Sequence, residues 1–263
     1  MKIGVFDSGI GGLSLLQRAQ ELLPEEDFIY YADESHVPYG EKKRAEIEGF
    51  VSQIIDFMLE RGAEAVVIAC NTATSTASKE FRSQFPVPVI GMEPAVKRAL
   101  DLYGKSGKRI LAAATQVTVT GEKLHRLIEE VDYSHLTDLL ALPRLVRFAE
   151  AGLFDNKEVE EYLRLMLKPY DMSLYSSFVL GCTHFNFFKK TLRRLLPETV
   201  HLVDGNDGTV KELCRRLSIK PSDSRLMPFR EPEFYLSGLR AEAAERKKLL
   251  TFMNWLAEME KLS

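Results

Sequence analysis

Short apolar runs rich in β-branched and aromatic residues alternate with amphipathic stretches of helix length along most of the chain. Parallel strands need a crossover connection, usually a helix, so this alternation predicts an α/β fold with mainly parallel sheets flanked by helices. The predicted strands are Ile3–Phe6, Phe28–Tyr31, Ala65–Ala69, Val87–Ile90, Arg109–Ala113, Ser177–Leu180, His201–Val203 and Glu233–Leu236. The predicted helices include Leu13–Leu23, Arg44–Arg61, Ala73–Phe85, Ala95–Tyr103, Gly121–Glu130, Lys157–Leu167, Phe185–Leu196, Gly208–Leu217 and Ala241–Lys261.

The order of these elements predicts two domains. A turn at Gly91-Met92-Glu93-Pro94 follows a strand, and a second strand–helix series begins after it. We assign residues 1–93 to the first α/β domain and residues 94–205 to the second. Because the last strand and helix come after the second series, we expect about residues 206–263 to return to the first domain.

Composition excludes several classes of function. The chain has 263 residues and a net charge of −3, which gives no support for a nucleic-acid or acidic-membrane partner. No apolar stretch approaches the roughly 20 residues of a membrane helix, and Asp7 interrupts the N-terminal strand too early for a signal peptide. We therefore expect a cytoplasmic protein whose three cysteines stay reduced. We interpret Cys214, within a helical pattern, as a packing residue.

Two cysteines occupy matched positions at the ends of apolar runs. Cys70 follows Val66-Val67-Ile68-Ala69, and Cys182 follows Phe178-Val179-Leu180-Gly181. The carboxyl ends of parallel strands are where open α/β sheets bind ligands, and the start of a helix directly after a cysteine favours the thiolate form. One base on each side of a carbon can remove a proton and return one on the opposite face. The pattern therefore predicts a site with two thiol acid/bases.

Polar residues near the thiols provide candidate partners and ligand contacts. Asp7 is a candidate partner of Cys70 if their strands are neighbours, and His184 is a candidate partner of Cys182. Hydrogen-bonding groups that could hold the carboxylates of a small substrate are Ser8, Asn71, Thr72 and Thr183.

Three other candidates come from loops and helix ends. The loop Val37-Pro38-Tyr39-Gly40 can place an aromatic wall and a backbone N–H group against a ligand. Thr115 follows a predicted strand and could contact a ligand or cap a helix. Glu150 could be a carboxylate of the site or a surface residue.

Other kinds of site fit the sequence less well. The glycines that follow Asp7 lack the third glycine of a dinucleotide loop, and no Lys-Ser or Lys-Thr follows them for a nucleoside triphosphate. No closely spaced ligand pairs suggest zinc, so we expect no metal. A Cys–His hydrolase based on Cys182 and His184 remains open, although it leaves Cys70 unexplained.

Together these residues resemble the glutamate racemase family, within the wider aspartate/glutamate racemase group. The matching segments are Phe6-Asp7-Ser8-Gly9-Ile10-Gly11-Gly12, Val37-Pro38-Tyr39-Gly40, Ala69-Cys70-Asn71-Thr72-Ala73 and Gly181-Cys182-Thr183-His184. The resemblance implies two pseudo-symmetric α/β domains with the active site in the cleft between them. It also implies cofactor-independent interconversion of L- and D-glutamate, which supplies D-glutamate for peptidoglycan.

The resemblance further assigns roles to individual residues. Cys70 and Cys182 are implied to be the catalytic acid/bases, assisted by Asp7 and His184 respectively. Glu150 aligns with a family carboxylate near the site. The residues expected to bind substrate, including Thr115 from the strand-end argument, are Asp7, Ser8, Tyr39, Gly40, Asn71, Thr72, Thr115, Glu150, Thr183 and His184.

The sequence departs from the usual family pattern at Ala114, Leu124, Asn186 and Gly205. Both cysteines are intact. The resemblance implies glutamate as the substrate, with aspartate or another acidic amino acid as the nearest alternative. A non-catalytic binding protein on the same scaffold is a third reading. The motifs require no pyridoxal-type cofactor. The sequence is compatible with a homodimer but does not determine the oligomeric state.

Overall fold

The computed structural model describes residues 1–92, 95–222 and 230–262. Two compact units divide the chain: Met1–Glu93 with Asn206–Asn254, and Pro94–Gly205 with Trp255–Ser263. Glu93 and Pro94, in the turn expected between the domains, lie outside the described residues. Each unit is an α/β structure with a largely parallel sheet, which confirms the predicted fold class.

The first unit contains a sheet in the order β10-β9-β2-β1-β3-β4. Its strands are β1 Lys2–Asp7, β2 Asp27–Ala32, β3 Ala65–Ile68, β4 Val89–Gly91, β9 Glu233–Leu236 and β10 Leu239–Arg240. All pairings are parallel except that of β10 with β9. Its helices are α1 Leu13–Leu22, α2 Arg44–Glu60, α3 Asn71–Thr76, α4 Lys79–Arg82, α11 Asn206–Leu217 and part of α12 Ala243–Glu260, with a 3-10 helix at Tyr39–Glu41.

The second unit contains a parallel sheet in the order β6-β5-β7-β8. Its strands are β5 Arg109–Ala114, β6 Thr137–Ala141, β7 Tyr175–Leu180 and β8 His201–Val203. Its helices are α5 Ala95–Tyr103, α6 Gln116–Thr120, α7 Glu122–Val131, α8 Pro143–Glu150, α9 Lys157–Leu167 and α10 Lys189–Leu195, with 3-10 helices at Gly104–Ser106, Met172–Leu174 and Thr183–Phe188.

The central strands of both sheets are buried, as their continuous apolar runs predict. Every residue of β3 and of β7 is buried, because helices cover both faces of such sheets. In the first unit β1 lies between β2 and β3, and in the second β5 and β7 are neighbours. The residues that follow β1 and β3 therefore share one sheet edge, and those that follow β5 and β7 share another.

The C-terminal residues group differently from the sequence assignment. Trp255–Ser263 belong to the second unit, whereas the sequence placed the whole of residues 206–263 with the first. The physical reason is a set of contacts with second-unit residues. The Trp255 ring stacks on Phe154, and the Glu260 carboxylate pairs with Lys189.

Within the described residues, no helix combines the length and the apolar character needed to cross a membrane.

Candidate active site

Cys70 lies at the carboxyl end of β3, where the sequence placed it. Strands β1 and β3 pair in parallel with Phe6 opposite Ile68, and the Ala69 N–H donates to the Phe6 carbonyl at 2.8 Å. Asp7 and Cys70 therefore follow neighbouring strands, which is the condition that the sequence set for their partnership. Both side chains are buried, Cys70 with 6% of its surface exposed and Asp7 with none.

Hydrogen bonds fix the Cys70 thiol at the start of α3. Its Sγ accepts from the Ala73 backbone N–H at 3.4 Å, so the sulfur caps the helix that Asn71 and Thr72 begin. The thiol donates to Ser8 Oγ across 3.7 Å. The Ser8 backbone N–H in turn donates to Asp7 Oδ1 at 2.9 Å. The structure thus joins Asp7, Ser8 and Cys70 in one chain of contacts.

The glycine-rich turn after β1 depends on close packing at Gly12. A Cβ atom there would lie 2.7 Å from the Asp7 Cβ and 3.0 Å from the Ala69 Cβ. The Tyr30 hydroxyl also donates to the Gly9 carbonyl at 2.7 Å, which holds the turn against the neighbouring strand. These glycines therefore let α1 begin directly against the carboxylate of Asp7.

Tyr39 and Gly40 form the start of the 3-10 helix Tyr39–Glu41, and the preceding Val37–Pro38 peptide bond is cis. Tyr39 is buried, and its hydroxyl donates to Asp33 Oδ2 at 2.6 Å. Burial, this hydrogen bond and the negative charges of Asp33, Cys70 and Asp7 raise the pKa of Tyr39 well above its usual range. The hydroxyl therefore stays protonated and acts as a donor.

Asp33 and His36 belong to the same network, although the sequence interpretation did not select them. Asp33 is buried after β2, and His36 Nδ1 lies 2.8 Å from its Oδ1. The His36 ring also stacks on Phe50 with 3.9 Å between centroids. Like Asp7, Asp33 is a carboxylate at the end of an apolar run in the sequence. The same pattern that selected Asp7 could therefore have selected Asp33.

Cys182 lies at the carboxyl end of β7, in the second unit. Its strand pairs with β5, and the Gly181 N–H donates to the Ala113 carbonyl at 2.8 Å. A Cβ atom on Gly181 would lie 2.6 Å from that carbonyl oxygen, so only glycine fits before the thiol. Cys182 directly precedes the 3-10 helix Thr183–Phe188, in which every residue is buried.

A cysteine, a histidine and a glutamate form a linear arrangement at this second thiol. Cys182 Sγ lies 3.7 Å from His184 Nδ1, and His184 Nε2 lies 2.6 Å from Glu150 Oε1 at the end of α8. Burial alone lowers the pKa of His184, but the hydrogen bonds and negative charges of Cys182 and Glu150 outweigh it and raise that pKa well above 6.5. Both neighbours therefore favour the protonated, imidazolium form of the ring.

Two remaining candidates, Thr183 and Thr115, both lie in the second unit. Thr183 is buried next to Cys182, and Thr115 follows β5, the neighbour of β7. The Thr115 hydroxyl pairs with that of Thr118 at 2.9 Å, which is a local contact at the start of α6.

Cys214 differs from both candidate thiols. It is buried on α11, and burial raises its pKa, as expected for a packing residue. No group of three or more histidine, cysteine or acidic side chains in the described parts of the chain is arranged to hold a metal ion.

Comparisons of the sequence and the structure with known proteins indicate the same family. The sequence profile of the Asp/Glu/Hydantoin racemase family matches residues 4–213. A glutamate racemase of Campylobacter concisus is 48% identical over 262 residues, which are 100% of this chain and 98% of that protein. A glutamate racemase of Campylobacter curvus is 54% identical over 222 residues, covering 83% of this chain and 84% of its own.

A solved structure shares the fold. The glutamate racemase of Escherichia coli, crystallised with L-glutamate and the activator UDP-MurNAc-ala, superposes with a TM-score of 0.81 at 30% identity. The match covers 97% of this chain and 94% of the other.

Proposed function

This chain belongs to the Asp/Glu/Hydantoin racemase family, and from that premise we propose that Cys70 and Cys182 are its two acid/bases. The activity is that of a glutamate racemase, an amino-acid racemase that interconverts L- and D-glutamate. Its product D-glutamate serves peptidoglycan synthesis. The observation that carries the two-thiol proposal is the matched placement of each cysteine at a strand end beside its own polar partners.

In the proposed reaction, one cysteine acts as a thiolate and removes the α-proton of glutamate. The other cysteine, as a thiol, donates a proton to the opposite face, and the roles exchange in the reverse direction. Asp7 and Ser8 assist Cys70, whereas His184, held by Glu150, assists Cys182. Because the partners differ chemically, the two proton transfers depend on different neighbouring groups.

The difficult step is the formation of negative charge on a weakly acidic carbon. Donors that strengthen their hydrogen bonds to the α-carboxylate as this charge develops lower the barrier, most effectively where water is excluded. We propose that the substrate is held by Asp7, Ser8, Tyr39, Gly40, Asn71, Thr72, Thr115, Glu150, Thr183 and His184. The burial of Ser8, Thr72 and Thr183 supports this assignment, since buried donors are already shielded from water.

We further propose that the enzyme works in the cytoplasm without a cofactor. Its chemistry requires reduced thiols, and none of the three cysteines forms a disulfide in the described parts of the chain. Size-exclusion chromatography with light scattering measures the molar mass in solution and so tests whether the enzyme is a homodimer.

The test is proton exchange at Cα of each glutamate enantiomer in deuterated water without added cofactor. We expect exchange together with inversion, and a loss of at least about 10³-fold in kcat for both Cys70→Ser and Cys182→Ser. Cys214→Ser is the matched control and should keep its activity.

Other outcomes would identify the alternatives. Full activity in Cys70→Ser would favour a hydrolase that uses the Cys182, His184 and Glu150 arrangement. Rapid exchange of the α-proton of aspartate, without exchange of that of glutamate, would show that aspartate is the substrate.

A further inference from the structure

Lys189 is a buried lysine close in sequence to the second thiol. Only 1% of its side chain is exposed, and Nζ lies 2.9 Å from both Asp204 Oδ2 and Glu260 Oε2. A buried ammonium requires such pairing, because leaving water costs several kcal/mol per ion. Burial lowers the pKa of Lys189, but the charges and hydrogen bonds of the two carboxylates outweigh it and raise the pKa, so the group stays charged.

The position of Lys189 connects it to the thiol through a short, ordered segment. It is the first residue of α10, which directly follows the 3-10 helix that begins after Cys182. Within that 3-10 helix the Phe185 N–H donates to the Cys182 carbonyl at 3.0 Å, and Asn186 Nδ2 donates to the Thr183 carbonyl at 3.1 Å. One backbone and one side-chain hydrogen bond thus order the short segment that joins Cys182 to Lys189.

Three residues near the C-terminus hold this segment, and we call Trp255, Glu260 and Leu262 the C-terminal clamp. Trp255 Nε1 donates to the Phe187 carbonyl at 2.9 Å, two residues before Lys189. Glu260 accepts from Lys189, and the Leu262 carbonyl accepts from Arg193 Nε at 2.8 Å. The clamp thus contacts the end of the 3-10 helix and the first two turns of α10.

Asp204 completes the arrangement from the sheet. It directly follows β8, which pairs with β7, the strand that leads to Cys182. The Lys189 ammonium therefore ties the start of α10 to the sheet on one side and to the C-terminal clamp on the other.

We propose that Lys189 and Glu260 are positioning residues that set the placement of the Cys182 thiol and the His184 ring through the Thr183–Phe188 helix. The proposal rests on the proposed function, in which Cys182 is one of the two bases. Neither residue touches the reacting atoms. Their effect is confined to proton transfer at Cys182. Because the two enantiomers have equal free energy, kcat/KM must fall equally in both directions of racemisation, and the asymmetry is expected in the primary isotope effect.

The test uses Glu260→Gln in the full chain, with kcat, KM and primary isotope effects measured for α-deuterated L- and D-glutamate. We expect kcat to fall roughly tenfold, because displacing a catalytic group by up to 1 Å costs as much as 10²-fold. The isotope effect should increase in one direction, in which Cys182 removes the proton, and should not increase in the other. KM should change by less than about twofold, since uniform substrate binding is not affected.

The matched control is Glu258→Gln, the same change on the same helix at an exposed residue that pairs with Lys261. It should leave all these quantities unchanged. If Glu260→Gln fails to fold, Trp255→Phe provides the measurement, because it removes the hydrogen bond to Phe187 and retains an aromatic ring. It should show the same one-sided change in isotope effect.

A loss of kcat with isotope effects unchanged in both directions would overturn the proposal, since that is the result of a smaller folded fraction. Unchanged kinetics in both variants would overturn it as well. Failure of the proposed function itself is distinguishable, because the unmodified chain would then not exchange the α-proton of glutamate.

Discussion

The His184 ring lies between two groups that favour its protonated form. Cys182 contacts one ring nitrogen and Glu150 the other, and together they raise the pKa of the buried imidazole well above its ordinary value. A raised pKa in the folded state contributes stability that is fully present below the unfolded value of about 6.5. This contribution is lost as the pH rises through the folded-state pKa.

Replacing Glu150 by glutamine tests this account of the ring. The change removes one negative charge and a strong acceptor, so we expect the pKa of His184 to fall and kcat to decrease roughly 10²-fold. NMR titration of 15N-labelled His184 measures the pKa, and racemisation assays measure kcat.

Glu161→Gln is the control for Glu150→Gln, because Glu161 pairs with Lys157 on the exposed face of α9. The His184 pKa should be the same in this control as in the unmodified chain. An unchanged His184 pKa in Glu150→Gln would contradict the assigned cause of the shift.

At the scale of elements, the turn between β1 and α1 has no room for a side chain at Gly12. A methyl group there would lie 2.7 Å from the Asp7 Cβ, so Gly12→Ala must displace either the carboxylate or the start of α1. We expect a loss of about 1–3 kcal/mol in the free energy of unfolding and a lower kcat. Urea denaturation and racemisation assays measure the two effects.

Gly49 provides the matched control within α2. A Cβ atom there would meet nothing within 4 Å, so Gly49→Ala should raise the free energy of unfolding by about 0.5–1 kcal/mol. If Gly12→Ala and Gly49→Ala had the same free energy of unfolding, the turn at Gly12 would accommodate a methyl group without loss of stability.

The elements that could be predicted from sequence are those with strong patterns. Buried runs such as Ala65–Ile68 predict their strands well, whereas β6 was missed because Thr137–Ala141 is half-exposed at the edge of its sheet. The prediction of one continuous helix over Ala73–Phe85 is wrong. The helix is interrupted at Ala77 and Ser78, where the Ser78 hydroxyl accepts from the Phe81 N–H and caps a new helix.

The start of the helix predicted over Phe185–Leu196 also differs. Residues Thr183–Phe188 form a 3-10 helix, and the α-helix begins at Lys189. Helix type at an N-terminus depends on local packing of the buried phenylalanines, which periodicity alone does not encode.

The residues proposed to assist each thiol could be selected from the sequence because they lie within a few residues of strand ends. Strand order, which is a long-range property, is needed to bring Asp7 next to Cys70, and the parallel pairing of β1 and β3 provides it. The Asp33 and Tyr39 hydrogen bond was not predicted, because it depends on how the loop after β2 turns back.

At the scale of the whole molecule, each compact unit contributes one of the two proposed bases. If both thiols serve one substrate, saturating L-glutamate should slow amide hydrogen exchange in both units. We expect protection around residues 66–76 and around residues 178–188, measured by mass spectrometry. The helix Lys157–Leu167, which has one exposed face, is an internal control that should exchange at an unchanged rate. Protection in one unit only would argue for a site that uses a single thiol.

The central claim is that two thiols exchange protons with opposite faces of the same carbon. Its most direct test is the location of deuterium early in the reaction of L-glutamate in deuterated water. We expect the D-glutamate formed to carry deuterium at Cα while the remaining L-glutamate carries none. Product that retains the original hydrogen, or substrate labelled as fast as product appears, would show that one group both removes and returns the proton.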